Sequence, residues 1–304
     1  MQQNEMEALL EACHLCPRSC GANRLAGEKG ICGCDSRLLI ARAALHMWEE
    51  PCISGEEGSG TVFFSGCALG CVFCQNQPIA KAEAGRFISM ERLVEIFFEL
   101  QSQGANNINL VTAGHYIPQV ATALQEAKGK GLQIPIVYNS GGYELPESLK
   151  LLEGLVDIYL PDLKYASPAL AQRYAHAADY FPRACAALAE MFRQVGEPVF
   201  DDRGILQRGM VVRHLALPGQ AEDSKAILRY LWETYGNRIY ISLMSQYTPL
   251  PHSKAFPELQ RKLSDEEYEA LIDYAVELGV ENGFIQEGDA AEESFIPPFD
   301  CTGV

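Results

Sequence analysis

The sequence is short of basic residues. Lys and Arg number 24 against 40 Asp and Glu, for a net charge of -16 and a pI near 4.8, and no basic run occurs. Neutralising a phosphate backbone takes clustered Lys and Arg, so nucleic-acid substrates are disfavoured. Long hydrophobic runs are also missing. No apolar stretch approaches the length of a membrane span, and the opening Met1-Gln2-Gln3-Asn4-Glu5 does not resemble a secretory signal. The expectation is a cytoplasmic protein with no membrane partner. What the chain has in plenty is cysteine, 11 residues in 304. In a reducing compartment these read as metal ligands or catalytic thiols and not as disulfides. The length suits one large domain with a small appendage, and 48% hydrophobic with 21% charged residues is ordinary for a globular protein.

The stretch that organises the rest follows a β-branched and aromatic run, Thr61-Val62-Phe63-Phe64, which reads as a short buried strand. Behind it come Cys67, Cys71 and Cys74 in the spacing C-x3-C-x2-C, with Gly66 and Gly70 ahead of the first two. A [4Fe-4S] cube normally takes four thiolates. A loop that offers three leaves one iron open, and an open coordination position can bind a substrate. The bland alternatives are a merely buried cysteine loop or a zinc loop short of one ligand.

Residues 1–59 form a cysteine-rich segment. Cys13, Cys16, Cys20 and Cys32 fall as C-x2-C-x3-C-x11-C, with glycines at 21, 30 and 33. They could close a structural zinc site, hold a second and fully ligated Fe–S cluster, or be reduced, packed thiols. Cys34 and Cys52 have no evident partner. The glycine-rich run at 54–60 reads as a flexible connector, and Trp48 as either a wall of the active site or a half-buried surface aromatic.

From residue 60 onward strand and helix patterns alternate. Strands are expected near 61–64, 108–111, 134–138, 156–160, 210–215 and 238–244. Ser89 is a candidate N-cap, an alanine-rich helical region at 168–196 should break at Phe181-Pro182, and a helix is expected at 222–235. Ser264 and Glu267 suggest a capping box for a last helix ended by Gly279. Six β/α repeats predict a parallel sheet with right-handed crossovers. Each strand is followed by polar or glycine-rich residues, which puts the site at the C-terminal ends of the strands in a barrel or an open sheet alike.

The C-x3-C-x-aromatic-C pattern just after the first strand resembles the signature of radical S-adenosylmethionine (radical SAM) enzymes. The resemblance implies a partial (β/α)6 TIM-like barrel at 60–304 behind the cysteine-rich segment. It implies an oxygen-sensitive [4Fe-4S] cluster on Cys67, Cys71 and Cys74 whose open iron chelates SAM, reductive cleavage to a 5′-deoxyadenosyl radical, and hydrogen abstraction from a substrate. Phe73 matches the aromatic position near the adenine. Over roughly residues 60–290 the chain is most similar to pyruvate formate-lyase activating enzymes. On that likeness Asp162 and Lys164 match a D-x-K element beside SAM, and Arg213 an arginine for the methionine carboxylate. Asn139 and Gly142-Tyr143 resemble a turn near the ribose. Where relatives carry Gly-Gly-Glu this chain has Thr112-Ala113-Gly114-His115, so backbone contacts through Ala113 and Gly114 are expected without the acid. The run Gly141-Gly142-Tyr143-Glu144 follows the wrong strand to replace it. His115 and Lys164 are the candidate catalytic residues, and a polar pocket of His115, Tyr143, Gln246 and Tyr247, partly covered by the leading segment, is expected. Implied partners are a small-molecule or peptide substrate, or a glycyl radical enzyme, together with a flavodoxin- or ferredoxin-like electron donor. The reading from another class is an Fe–S or zinc carrier or scaffold, for which six strand-end motifs are more than needed.

Overall fold

The computed structural model describes residues 3–286 and 297–304; Met1 and Gln2, the start of the stretch read as unlike a signal, lie outside them. In chain order the elements are α1 (Gln3–Glu11), β1 (Leu38–His46), α2 (Pro51–Ser54), β2 (Ser59–Phe64), α3 (Gln77–Ala80), β3 (Arg86–Ile88), α4 (Met90–Ser102), β4 (Ile108–Val111), α5 (Ile117–Gly129) and β5 (Ile136–Ser140). There follow α6 (Pro146–Leu149), β6 (Ile158–Pro161), α7 (Pro168–Ala175), α8 (Tyr180–Val195), β7 (Val199–Phe200), β8 (Leu206–Leu215), α9 (Ala221–Tyr235), β9 (Tyr240–Met244), α10 (Asp265–Leu278) and β10 (Gly283–Ile285).

The strands form one open sheet in the order β10-β9-β8-β6-β5-β4-β2-β1-β3, with β7 paired to β8. All neighbours from β2 through β10 on this path are parallel, while β1 is antiparallel to both β2 and β3. The two ends of the path do not pair, so the barrel is partial, as expected. To the six expected strands the structure adds the short, partly exposed β10 and the antiparallel β1, β3 and β7. β3, β7 and β10 carry too few residues to show a period, and β1, though nine residues long, is near-continuously apolar and does not alternate.

Local chemistry explains the element ends. Ser89 accepts a hydrogen bond from the Arg92 amide at the start of α4, and Ser264 and Glu267 form the reciprocal capping box of α10, which ends on Gly279 at φ 94°. The alanine-rich region breaks earlier than expected, at left-handed His176, and Pro182 sits inside the first turn of α8. A proline there removes an amide that has no helical partner anyway.

The run at 54–60 is not a loose connector. Its first residue ends α2, its last two open β2, and both flanks are buried. A Cβ on Gly55 would meet the Ile205 side chain at 2.6 Å, and one on Gly60 the Asn107 carbonyl at 2.8 Å. Glycine is needed because two pieces of chain approach closely. Among the described residues no helix is long and apolar enough to cross a membrane. The segment before β2 touches both ends of the barrel. Pro51 and Cys52 lie with Ile205, Tyr240 and Phe284 at the end where strands begin, and Cys16 lies with Cys67 and Gly114 at the end where they finish.

Candidate functional site

The cysteine loop leaves β2 through Ser65 and Gly66. Gly66 holds φ 100°, and a Cβ on it would collide with the Cys34 sulfur. Gly70, at φ 62°, has open space on its Cβ side. Cys67, Cys71 and Cys74 are all half-buried free thiols. Hydrogen-bond donors face their sulfurs: the Leu69 amide is 3.4 Å from Cys67 Sγ, and the Tyr165 hydroxyl 3.7 Å from Cys71 Sγ. Burial pushes the Cys74 thiol up to about 12, with Cys67 and Cys71 adding to it, and Lys164 opposes a similar rise at Cys71. Buried thiols raised in this way, as Cys71 and Cys74 are, need a positive centre to become thiolates. Among the described residues no group of three or more His, Cys, Asp or Glu could hold a single metal ion. A three-thiol loop lined by donors suits the larger inorganic core of an Fe–S cluster.

Beside the loop lies a pocket lined by Cys67, Ala68, Leu69, Thr112, Gly114, His115, Gly141, Tyr143, Glu144 and Cys16. It is built by the turns after β2, β4 and β5. Thr112 takes a left-handed φ of 60°, held by its amide donating to the Asn139 carbonyl at 2.8 Å. A non-glycine residue so placed stores local strain, a recurrent feature of functional turns. Gly142, at φ 73°, cannot be replaced, because a Cβ would strike the Asp162 carbonyl.

The acid missing after β4 is present in space. Glu144 is 6% exposed, and its Oε1 lies 3.2 Å from where a Gly114 Cβ would sit. Ser140 Oγ donates to its other oxygen at 3.1 Å. The run at 141–144 does follow a different strand, but β5 is the neighbour of β4, so its turn reaches over Gly114. Burial pushes the Glu144 carboxyl up to about 7. The Tyr138 hydroxyl lies 3.3 Å from the same Gly114 point and is buried without a hydrogen-bond partner.

Asn139, Asp162 and Arg213 form a second constellation, inside the barrel. The Arg213 guanidinium donates to Asp162 Oδ1 at 2.9 Å, to Glu49 Oε2 at 3.1 Å and to Asn139 Oδ1 at 2.6 Å. Glu49 also accepts from Asn109 and Asn139. All three guanidinium nitrogens are engaged within the chain. Lys164 Nζ pairs with Asp162 Oδ2 at 2.5 Å, close enough to Cys71 to act on its charge. Burial raises the Glu49 and Glu50 carboxyls, while Arg213 and Lys164 together hold Asp162 low.

The expected four-residue pocket is only half right. His115 and Tyr143 line the pocket. The His115 ring nitrogen Nε2 is 2.7 Å from the Ser65 carbonyl, and burial lowers its pKa, so the neutral ring donates to the root of the cysteine loop. The Tyr143 hydroxyl donates to Asp179 at 2.7 Å. Tyr247 is buried, donates to the Leu259 carbonyl at 2.7 Å and packs edge-on to Phe73, and the Gln246 amide turns to the Met244 sulfur. Phe73 itself sits among Tyr165, Tyr174 and Tyr247. Trp48 is 64% exposed and is not among the residues lining the pocket beside the cysteine loop.

Sequence reasoning missed the place of Glu144 and two arginines of the leading segment. Arg18 donates to the Ala68 carbonyl at 2.8 Å and the Ala175 carbonyl at 2.7 Å, and Arg24, fully buried, donates to the carbonyls of Asp35 and His115. The only signal in the sequence was the placement of arginines within a cysteine-rich run.

An uncharacterized protein of Methanocaldococcus jannaschii is 26% identical over 88% of this chain and 75% of its own length. The structure of methylornithine synthase superposes with a TM-score of 0.51 at 14% identity, over 78% of this chain and 68% of that one. That of Streptococcus suis SuiB bound to S-adenosylmethionine gives a TM-score of 0.48 at 12% identity, over 73% of this chain, which spans about half (48%) of SuiB. The family profile of the radical SAM superfamily matches residues 61–231. With that match over more than half its length, the chain belongs to the radical SAM superfamily.

Proposed function

We propose that the chain cleaves SAM reductively at a [4Fe-4S] cluster on Cys67, Cys71 and Cys74 and abstracts hydrogen from a small molecule or a short peptide segment. The observation that carries this reading is the meeting of Cys67, the Gly114 backbone and the Glu144 carboxylate in one pocket. Bound together, cluster and SAM supply a 5′-deoxyadenosyl radical after transfer of one electron, for which a flavodoxin or ferredoxin is a fitting donor. The protein's part is placement. Glu144 offers a carboxylate to the amino group of SAM, and the turn at Ala113 and Gly114 offers backbone beside it. Lys164 uses one of its three donors on Asp162, which leaves charge for the methionine carboxylate. Arg213, with each of its nitrogens bonded within the chain, holds the barrel interior and Asp162 in place.

The finer reading concerns the substrate. Activation of a glycyl radical enzyme requires a laterally open mouth that admits a protein loop. Here the part of the leading segment around Cys16 and Arg18 lies at the mouth, with Cys16 in the pocket wall and Arg18 fastened to the cysteine loop. A covered mouth protects a reactive radical from water and side reactions, which favours a small or narrow substrate.

The test is anaerobic reconstitution with iron and sulfide, followed by SAM and dithionite. The chain should form 5′-deoxyadenosine and the Cys71→Ala protein none. Full cleavage by Cys71→Ala would refute the cluster assignment. Deuterium passing from a glycine-labelled glycyl radical enzyme into 5′-deoxyadenosine would decide for activation.

A further inference from the structure

We propose that Cys13, Cys16, Cys20 and Cys32 hold a second [4Fe-4S] cluster, fully ligated by the chain and set between the surface and the SAM pocket. This goes beyond the reaction proposed above and does not depend on it. From the end of α1 at Glu11 to the start of β1 at Leu38 there is no helix or strand. Long stretches of that kind in a compact domain are functional or disordered, and this one is folded by turns. The Gly21 amide donates to the Cys13 carbonyl at 3.0 Å, the Ser19 amide to the Cys16 carbonyl at 3.0 Å, and the Gly33 amide to the Gly30 carbonyl at 2.9 Å. These turns bring the sulfurs together. A Cβ on Gly30 would lie 3.2 Å from Cys20 Sγ and 3.4 Å from Cys32 Sγ, so both face one point. Cys13, Cys20 and Cys32 are all near enough to Cys16 for their charges to act on it.

Two observations choose the metal. Zinc draws four sulfurs to about 2.3 Å from one ion, yet among the described residues no such group could hold a single ion. The same is true of Cys67, Cys71 and Cys74, the loop of the superfamily's cluster. The leading set also lies beside that loop, with Cys16 and Cys67 in one pocket wall, and we assign it the same kind of core. Four thiolates satisfy all four irons of a cube, so this centre has no open iron for SAM, and its chemistry is to hold one electron.

Its position gives that electron a route. Cys20 is exposed, Cys16 lines the SAM pocket beside Cys67, and Arg18 between them clamps the turn onto the Ala68 carbonyl. A one-electron donor of the ferredoxin or flavodoxin class would be oxidised at the Cys20 side as the centre is reduced.

The test uses the full chain with Cys67, Cys71 and Cys74 all changed to Ala, which cannot cleave SAM and so separates this inference from the activity. After anaerobic reconstitution the triple variant should keep about four irons and four sulfides per chain, against about eight of each in the parent. It should take up one electron from dithionite, give the EPR signal of a reduced cube, and show no change in that signal on adding SAM. A Cys16→Ala, Cys20→Ala protein should lose the complementary half of the iron. One zinc per chain, an iron-free triple variant, or a signal that shifts with SAM would each overturn the proposal. Should the double variant fail to fold, the triple variant still decides the question.

Discussion

The barrel holds two polar constellations that differ in one respect. Inside, each guanidinium nitrogen of Arg213 finds an oxygen of Asp162, Glu49 or Asn139, although burial raises Glu49 and Glu50 there too and Glu50 Oε2 and Asn109 Oδ1 are buried without a partner. At the mouth, Glu144 and Tyr138 keep capacity in hand: a carboxyl raised by burial and a buried hydroxyl with no partner. A closed network stabilises the fold, whereas unspent polar groups in a buried place mark where a ligand completes the structure. The sequence motifs had put Arg213 on the ligand side of this line and left Glu144 off it. The packing gives Arg213 partners within the chain and brings Glu144 into the pocket wall.

The comparison breaks most visibly at Arg213. Changing Arg213→Met leaves the buried Glu49 without a cation and Asp162 with Lys164 alone, and removing one partner of a buried ion pair costs about 3–5 kcal/mol. Urea unfolding of the cluster-free protein should show that loss. A cost below about 1 kcal/mol would mean that the interior network is not closed.

Glu144 should behave in the opposite sense. Its folded pKa of about 7 lies above the ordinary carboxyl value of 4.5. The unfolded chain therefore ionises first, and stability declines as pH rises through the carboxylate range to about 7, then levels. Glu144→Gln should remove that decline and make the SAM-free protein more stable at neutral pH. The same change should weaken SAM binding by about 10–100-fold, since a charge-assisted hydrogen bond contributes roughly 1.5–3 kcal/mol. In the parent, calorimetry should show tighter SAM binding from about pH 6 to pH 8 as the carboxylate forms; the variant's binding should be flat. Unchanged SAM affinity would remove Glu144 from the site.

The smallest effect is expected at Tyr138. Tyr138→Phe deletes a buried hydroxyl that has no partner, so thermal unfolding of the SAM-free chain should be unchanged or raised by up to about 1 kcal/mol. A clear loss of stability would show that this hydroxyl is already satisfied and belongs with the interior set.

What the sequence made legible was contiguous. The cysteine loop and its preceding strand, the capping box at Ser264 and Glu267, and the repeat of strand and helix all lie within a few residues of chain, so spacing alone exposes them. The parallel order of the barrel followed from that repeat. Glu144 was out of reach because its place depends on which strands are neighbours, a matter of sheet order and not of distance along the chain. The partners of Glu49 were hidden for a similar reason, since it enters the barrel interior from a segment with no periodic signal. Tyr247 misled because its position after β9 is right for the rim, while its ring is drawn inward by Phe73 and its hydroxyl by the Leu259 carbonyl. His115 was placed correctly in the pocket wall, but its ring turns to Ser65 because a buried neutral imidazole takes the nearest carbonyl.

The Arg18 clamp has a consequence in time. Its guanidinium rests on the carbonyls of Ala175 and His176, residues that leave the ribosome more than 150 positions later. Translation adds on the order of 5–20 residues per second, so the early cysteines wait about ten seconds or longer before their lock exists. During that interval Cys13, Cys16, Cys20 and Cys32 stand open to whatever loads iron and sulfide, and also to oxygen. The cysteine segment is thus clamped only after chain more than 150 residues downstream of Arg18 has been made.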